Sequence, residues 1–298
     1  MAEQIRWKSE LVNVLPASIW EHVCTCTEAQ RPEEIRIRAG QPIQMIYACD
    51  EALLPHIVDE DTCEALLENI CDHSIYAWEE ELKNCFITLR GGYRVGLSGR
   101  AYMEKGELMR LTRVNGFNIR IARECAGCAA DIVRNMVDES GRPLSTLIFS
   151  APGVGKTTML RDIARHFSYG LNGLIPRKVS IADERSELAG SYNGVATLDV
   201  GPRTDVLDGC AKARAMALLI RTMSPELIIT DEIGGKADAD AIMDAATCGV
   251  AVIASAHARN VDELKQRESL MKLITNGCFK CLIELSRTGG RVIAKQVR

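Results

Sequence analysis

Ser150-Ala151-Pro152-Gly153-Val154-Gly155-Lys156-Thr157-Thr158 combines two glycines with a lysine and three hydroxyls. The segment follows an apolar run, Leu147 to Ser150, and opens an amphipathic one, Thr157 to Phe167. In a strand–loop–helix setting, such glycines let the backbone curl so that several N–H groups point into one concavity. The following helix adds its N-terminal partial positive charge at the same place. Lys156 then reaches the β- and γ-phosphates of a bound nucleotide, and the Thr157 hydroxyl takes a Mg²⁺ position. The first position of this eight-residue pattern is usually glycine and here is Ser150; it forms the entry turn, so the cradle itself is kept. ATP and Mg²⁺ are the cofactors this segment implies.

A second apolar run, Leu227-Ile228-Ile229-Thr230, ends in Asp231-Glu232. Open α/β sheets bind ligands at the carboxyl ends of their strands. There Asp231 would hold the metal and Glu232 would orient and polarise the attacking water. A third run ends in Ala256-His257-Ala258, which turns His257 toward the γ-phosphate unless it is a packing histidine. A fourth, Ile181-Ala182-Asp183-Glu184, delivers two more acids; either could polarise a water or reach the metal, or both could cap a helix. Hydrolysis also needs positive charge on the transition state, often from a neighbouring subunit. Arg185, Arg203 and Arg221 are candidates, with Arg90, Arg94 and Arg100 of the first half, and the sequence does not choose among them.

Two cysteine pairs, Cys125/Cys128 and Cys278/Cys281, and the closer pair Cys24/Cys26 have spacings that suit a metal knuckle. Residues three apart on a strand face opposite ways, however, and the pairs are far apart in sequence. We read them as small buried hydrophobes.

The elements that position these residues differ between two halves. From Leu147 onward, apolar strands alternate with helices, at Thr157–Phe167, Lys212–Met223 and Asp238–Thr247, the mark of a mainly parallel sheet covered on both faces. Phe279–Ser286 and Arg291–Val297, around Thr288-Gly289-Gly290, read as an antiparallel hairpin added at its edge. Before Glu124 the pattern is smaller and mixed α/β. Glu34–Arg38 and Gln44–Ala48 suggest one hairpin, Thr62–Ile70 a helix, and Phe86–Leu97 two strands around Gly91-Gly92. We expect domains at 1–123 and 124–298. A connecting helix and linker fill 124–142, with Ile132, Val133 and Met136 on one face of the helix.

Charge is segregated in the first half. Asp50 to Leu82 holds eleven acids and no lysine or arginine, whereas Lys83 to Arg123 holds nine basic residues and two acids. Such segregation fits either two solvated faces or complementary surfaces for head-to-tail association. Over the 298 residues, 47% are hydrophobic, 26% are charged, and the net charge is -4, ordinary values for a globular chain. That balance argues against non-specific nucleic-acid binding. Twelve cysteines without an export signal fit a reducing cytosol. No apolar run reaches the ~20 residues that span a bilayer, so membrane contact is expected only at the periphery or through a partner.

Arg221-Thr222-Met223-Ser224-Pro225-Glu226 leading into Leu227–Ile233, followed by Ala256-His257-Ala258, resembles the acidic strand and histidine box of type II and type IV secretion ATPases. More specifically, Arg36–Pro42, Leu89–Gly96, Asn118–Glu124 and Val200–Cys210 resemble the stage III sporulation AA family of endospore-forming bacteria. The likeness runs from about Arg31 to the end of the chain. It implies a RecA-like P-loop ATPase domain behind a smaller mixed α/β domain, a homo-oligomer forming a hexameric ring, and nucleotide sites at subunit interfaces. It further implies a cytoplasmic, mother-cell protein docked on membrane-embedded subunits of a sporulation channel. A nucleic-acid motor and a nucleotide-gated scaffold with little hydrolysis are the rival readings of the same motifs.

Overall fold

In the computed structural model, residues 2–25, 31–47, 50–104, 106–121, 126–288 and 291–297 are described. Several residues read from the sequence fall outside these: Cys26, Ala48, Ala122 to Cys125, and the Gly289-Gly290 turn. The chain divides into two compact units, Met1–Arg123 and Glu124–Arg298.

The first unit opens with α1 (Ala2–Leu11) and α2 (Ala17–Val23), then β1 (Glu34–Arg38), β2 (Pro42–Ile46) and β3 (Glu51–Ile57). After α3 (Glu60–Ile70) and α4 (Glu79–Lys83) come β4 (Phe86–Leu89), β5 (Tyr93–Glu104) and β6 (Glu107–Arg120). The strands form an antiparallel sheet in the order β3-β2-β1-β6-β5-β4. Period-two alternation puts Ile35, Ile37, Ile43, Met45, Val95 and Ile119 on one buried face, packed with Trp7, Leu11 and Ile19 of the N-terminal segment and Leu66 of α3. The other face is open to solvent, as an antiparallel sheet allows, with Arg36 and Gln44 beside the exposed Leu53 and Ile57. Gly91 and Gly92, at φ of 85° and 76°, supply the left-handed conformations of the three-residue connection between the paired Leu89 of β4 and Tyr93 of β5.

β5 and β6 outrun the rest of this sheet. Their proximal pairs, such as Val95 with Ile119, lie within it, while from Ser98 to Glu104 every residue is exposed. This distal ribbon carries three register shifts, at Ser98/Gly99, Arg100/Ala101 and Tyr102/Met103, each leaving one extra residue on β6. Repeated bulges bend and twist a ribbon and spoil its edges for further pairing. At the first bulge the Arg113 carbonyl approaches so closely that only a residue without Cβ fits at position 99. The sequence pattern revealed β5 only as far as Leu97 and did not reveal β3 or β6.

The second unit contains β7 (Thr146–Ser150), α5 (Lys156–Tyr169), β8 (Val179–Asp183), β9 (Thr204–Asp208), α6 (Lys212–Met223) and β10 (Leu227–Glu232). It continues with α7 (Lys236–Thr247), β11 (Ala251–His257), α8 (Val261–Lys265), α9 (Glu268–Thr275), β12 (Cys281–Thr288) and β13 (Arg291–Val297). The sheet order is β13-β12-β7-β11-β10-β8-β9, parallel throughout except that β13 runs antiparallel to β12 at the edge. Apolar cores cover both faces. Ile148, Ile229 and Ile253 pack with α5 on one; Phe149, Ile228 and Val252 pack with α6, α7 and α9 on the other. Cys281 belongs to the first core and Cys278 packs on the second, on opposite faces of the sheet.

α5 is nearly enclosed, with Met159, Leu160, Ile163, Ala164 and Phe167 buried beside the polar Arg161, Asp162 and His166. The Arg161 guanidinium donates to the carbonyls of Leu188 (2.6 Å) and Glu187 (2.8 Å). The Asp162 carboxylate accepts from the backbone N–H of Gly127 (3.0 Å) and Ala129 (2.8 Å).

Those last two bonds correct the expected connecting helix. Residues 126–132 form turns, followed by a 3₁₀ segment, Val133–Met136, and a bridge between Val137 and Pro143. Gly127 sits at φ 90°, and backbone donors that a helix would use internally serve Asp162 instead. Ile132, Val133 and Met136 are nonetheless buried together, as their spacing suggested.

Candidate active site

The parallel strands β7, β11, β10, β8 and β9 bring Ser150, His257, Glu232, Asp183 and Asp208 to one sheet edge. β11 is the direct neighbour of β7, so His257 pairs with Ser150, and Ala258 N–H donates to the Ser150 carbonyl at 3.2 Å. The loop from Ala151 to Gly155 then turns back into α5. Gly153 and Gly155 adopt φ of 75° and 117°, and the space where a Gly153 side chain would stand is open. Left-handed glycines in a loop that leads into a helix N-terminus turn backbone N–H groups into one concavity.

Lys156, almost wholly buried in the first turn of α5, donates toward the carbonyls of Ser150 and Ala151, both at 3.3 Å. Its Nζ also lies 2.8 Å from His257 Nδ1, and His257 Nε2 lies 2.9 Å from Glu232 Oε2. The neutral imidazole that satisfies both neighbours accepts from Lys156 at Nδ1 and donates from Nε2 to Glu232. A lysine, a histidine and a carboxylate from three elements are thus joined in one chain. Burial lowers the Lys156 pKa, and the Glu232 charge opposes that effect.

Asp231 and Glu232 are adjacent yet occupy different surroundings. The β10–β11 register shifts between Thr230 and Glu232, leaving Asp231 as the extra residue. Asp231 is buried and Glu232 exposed at the edge. Asp231 Oδ1 lies 3.1 Å from Lys212 Nζ, which also donates to Glu184 Oε2 at 2.9 Å. The Asp231 contact is an ion pair by distance, although its angle leaves Oδ1 without a formed hydrogen bond. The charge interaction follows the distance. Burial raises the Asp231 pKa while Lys212 pulls it down, and the net direction is upward. For Lys212, burial acts to lower the pKa, but Asp231 and Glu184 outweigh it and the net shift is upward.

Asp183 is fully buried and its carboxylate accepts three backbone N–H bonds, from Glu187 (2.9 Å), Leu188 (3.0 Å) and Ala189 (2.9 Å). Burial pushes its pKa up to about 7, against the pull of those hydrogen bonds. The geometry therefore engages Asp183 in holding the 187–189 loop, where turns and not a helix follow the strand, and brings Glu184 to Lys212. Arg203 and Arg221 lie on the opposite edge of the sheet. Arg203 precedes β9 and bonds the Ser168 carbonyl at 2.9 Å. Arg221 closes α6, about 13 Å along the helix from Lys212 at 1.5 Å per residue.

Lys212 is the residue the motifs did not single out. A cation is disfavoured at a helix N-terminus, and Lys212 is the first residue of α6. Its position is intelligible only from the two carboxylates that fold around it. A hydroxyl (Thr157) and a carboxylate (Asp231, whose Oδ1 is here held by Lys212 at 3.1 Å) are the hard oxygen donors that Mg²⁺ takes.

The model of the family described as sporulation stage III, protein AA, matches residues 5–295. The chain belongs to that family. Stage III sporulation protein AA of Bacillus subtilis (strain 168) is 40% identical over 291 residues, covering 97% of this chain and 94% of the relative. Among solved structures, the Yersinia pseudotuberculosis ATPase DotB superposes with a TM-score of 0.63 at 16% identity, covering 95% of this chain and 79% of DotB. The pilus retraction motor PilT, solved with bound ADP, gives 0.58 at 14% identity, covering 93% of this chain and 80% of PilT. The family thus has the α/β fold of secretion ATPases, an antiparallel N-terminal sheet followed by a mainly parallel one. No described helix is long and apolar enough to cross a membrane.

Proposed function

We propose that this family member is a Mg²⁺-dependent ATPase of the secretion type, working as a homo-oligomeric, hexameric ring. Its place would be the mother-cell cytoplasm, on membrane-embedded subunits of a sporulation channel whose assembly or transport it powers. The observation that carries the reading is the Lys156–His257–Glu232 chain beside an open glycine cradle. The backbone of Ser150 to Thr158 would hold the phosphates, with Lys156 moving from His257 onto the β- and γ-oxygens. Glu232, exposed at the strand end, would accept a proton from water, with His257 holding its carboxylate in place. Thr157 and Asp231 would hold Mg²⁺, which neutralises charge on the β- and γ-phosphates when bound. Glu184 would remain with Lys212. Since Arg203 and Arg221 lie on the far edge, they could serve only the nucleotide of a neighbouring subunit, and a ring provides one.

Mg²⁺-dependent ATP turnover of the full chain, measured across a protein concentration series, tests this. Turnover per chain should rise with concentration, and Glu232→Gln should bind ATP normally and lose at least about 100-fold in rate, the usual size of a general-base effect. A Glu232→Gln chain that turns over normally refutes the assignment.

A further inference from the structure

We propose that the tip of the β5–β6 ribbon is an assembly element that inserts into a groove on the first unit of a second copy of this chain. The inference rests on the ring reading above and supplies a contact for it. The groove, of about 550 Å³, runs between α3 and the base of the ribbon. Leu67, Ile75 and Leu111 line it incompletely covered, beside the polar Arg100, Thr112 and Asn115. Glu64 and Glu68 stand exposed on its α3 wall, and the Glu60–Arg113 ion pair, 3.1 Å, bridges to the ribbon side.

The ribbon tip has the matching chemistry. Tyr102, Met103 and Met109 are 48%, 53% and 36% exposed, large apolar side chains left in water at the end of a ribbon. Arg110 lies with its guanidinium 5.8 Å from the Tyr102 ring centre, bringing a cation to the same tip. A two-stranded ribbon standing alone is marginally stable, and the three bulges spoil its edges for strand addition. Docking by side chains is what remains: apolar tip against Leu67, Ile75 and Leu111, Arg110 against Glu64 and Glu68. Tip and groove lie on different parts of one unit, so the contact is head-to-tail, the type that closes rings. The acidic stretch from Asp50 to Leu82 supplies the α3 wall, while the basic one from Lys83 to Arg123 supplies the tip and, with Arg100 and Arg113, the ribbon side of the groove.

Charge reversal with rescue, read by sedimentation of the full chain with Mg²⁺ and ATP, tests the contact. Arg110→Glu and Glu68→Lys should each weaken self-association at least tenfold, while Tm and ATP affinity stay at wild-type values. Combining both substitutions in one chain should restore association. Single variants that associate like wild type, or a combination no better than either, overturn the ribbon contact and leave the ring reading standing. A wild-type chain that stays monomeric at all concentrations overturns both.

Discussion

Replacing Lys212 with Met isolates the electrostatics of the acidic strand end. The ammonium sits 2.9 Å from Glu184 and 3.1 Å from Asp231, with the Lys212 and Asp231 side chains each 9% exposed and Glu184 40% exposed. Methionine keeps the length and removes the charge, leaving Asp231 buried without its counter-ion. Removing one partner of a buried pair costs about 3–5 kcal/mol. Protonation of Asp231, whose pKa burial already raises, relieves part of that, so the lower end, about 3 kcal/mol, is expected near pH 7. At roughly 2–4 °C per kcal/mol for a unit of this size, Tm should fall by about 6–12 °C. An acid with a raised folded-state pKa stabilises the fold below its unfolded pKa and loses that contribution as pH rises through the folded value. The deficit of the variant should therefore shrink as pH is lowered and grow as it is raised. Adding Asp231→Asn should recover most of the loss, giving a coupling of about 2 kcal/mol in a double-mutant cycle. Thermal scans of the four proteins at several pH values suffice. A fall below about 2 °C for Lys212→Met, or a double variant no more stable than the single, would refute the ion-pair account.

His257→Ala frees Lys156 from its contact with the histidine, and ADP, which has no γ-phosphate for His257 to meet, should bind roughly 2- to 10-fold tighter, the span of one net hydrogen bond, by calorimetry. Asp183→Asn should flatten the pH dependence of stability. The folded-state pKa of about 7 against an ordinary 3.8 means that the wild type keeps this contribution below about pH 4 and loses up to about 4 kcal/mol of it as pH rises through 7; urea melts at pH 5 and pH 8 measure the difference. Gly99→Val places a side chain against the Arg113 carbonyl and should cost about 1–3 kcal/mol, with faster proteolysis within 98–113 as the accompanying sign.

Much of the second unit was legible because its signals are local. The apolar strands ending in Ser150, Asp183, Glu232 and His257 each announce themselves within a few residues, and the order of a parallel sheet then gathers their ends. Long-range chemistry was not legible. Lys212 has no motif; Asp231 and Glu184 reach it from two different strands. Asp183 lies in the same acidic cluster as Glu184, and only the fold assigns one to backbone N–H groups and the other to a lysine. β9, Thr-Asp-Val-Leu-Asp, is too polar to read as a strand until its pairing with β8 is seen. The expected helix after Glu124 failed because Asp162, more than thirty residues away, competes for its backbone donors. β6 was missed because its bulges break the period-two alternation on which strand reading depends.

The enclosure of α5 makes the Ala151–Gly155 loop one end of a stiff rod. Packed interiors resist continuous deformation, and this helix is tied at Arg161 to the 187–188 loop and at Asp162 to the turns at 127–129. A displacement imposed at Lys156 cannot be absorbed along the rod and must appear at those two attachments. One of them, Gly127–Ala129, lies just inside the beginning of the second unit. A push at the first turn of α5 would thus be felt in the turns at 127–129 and in the 187–188 loop.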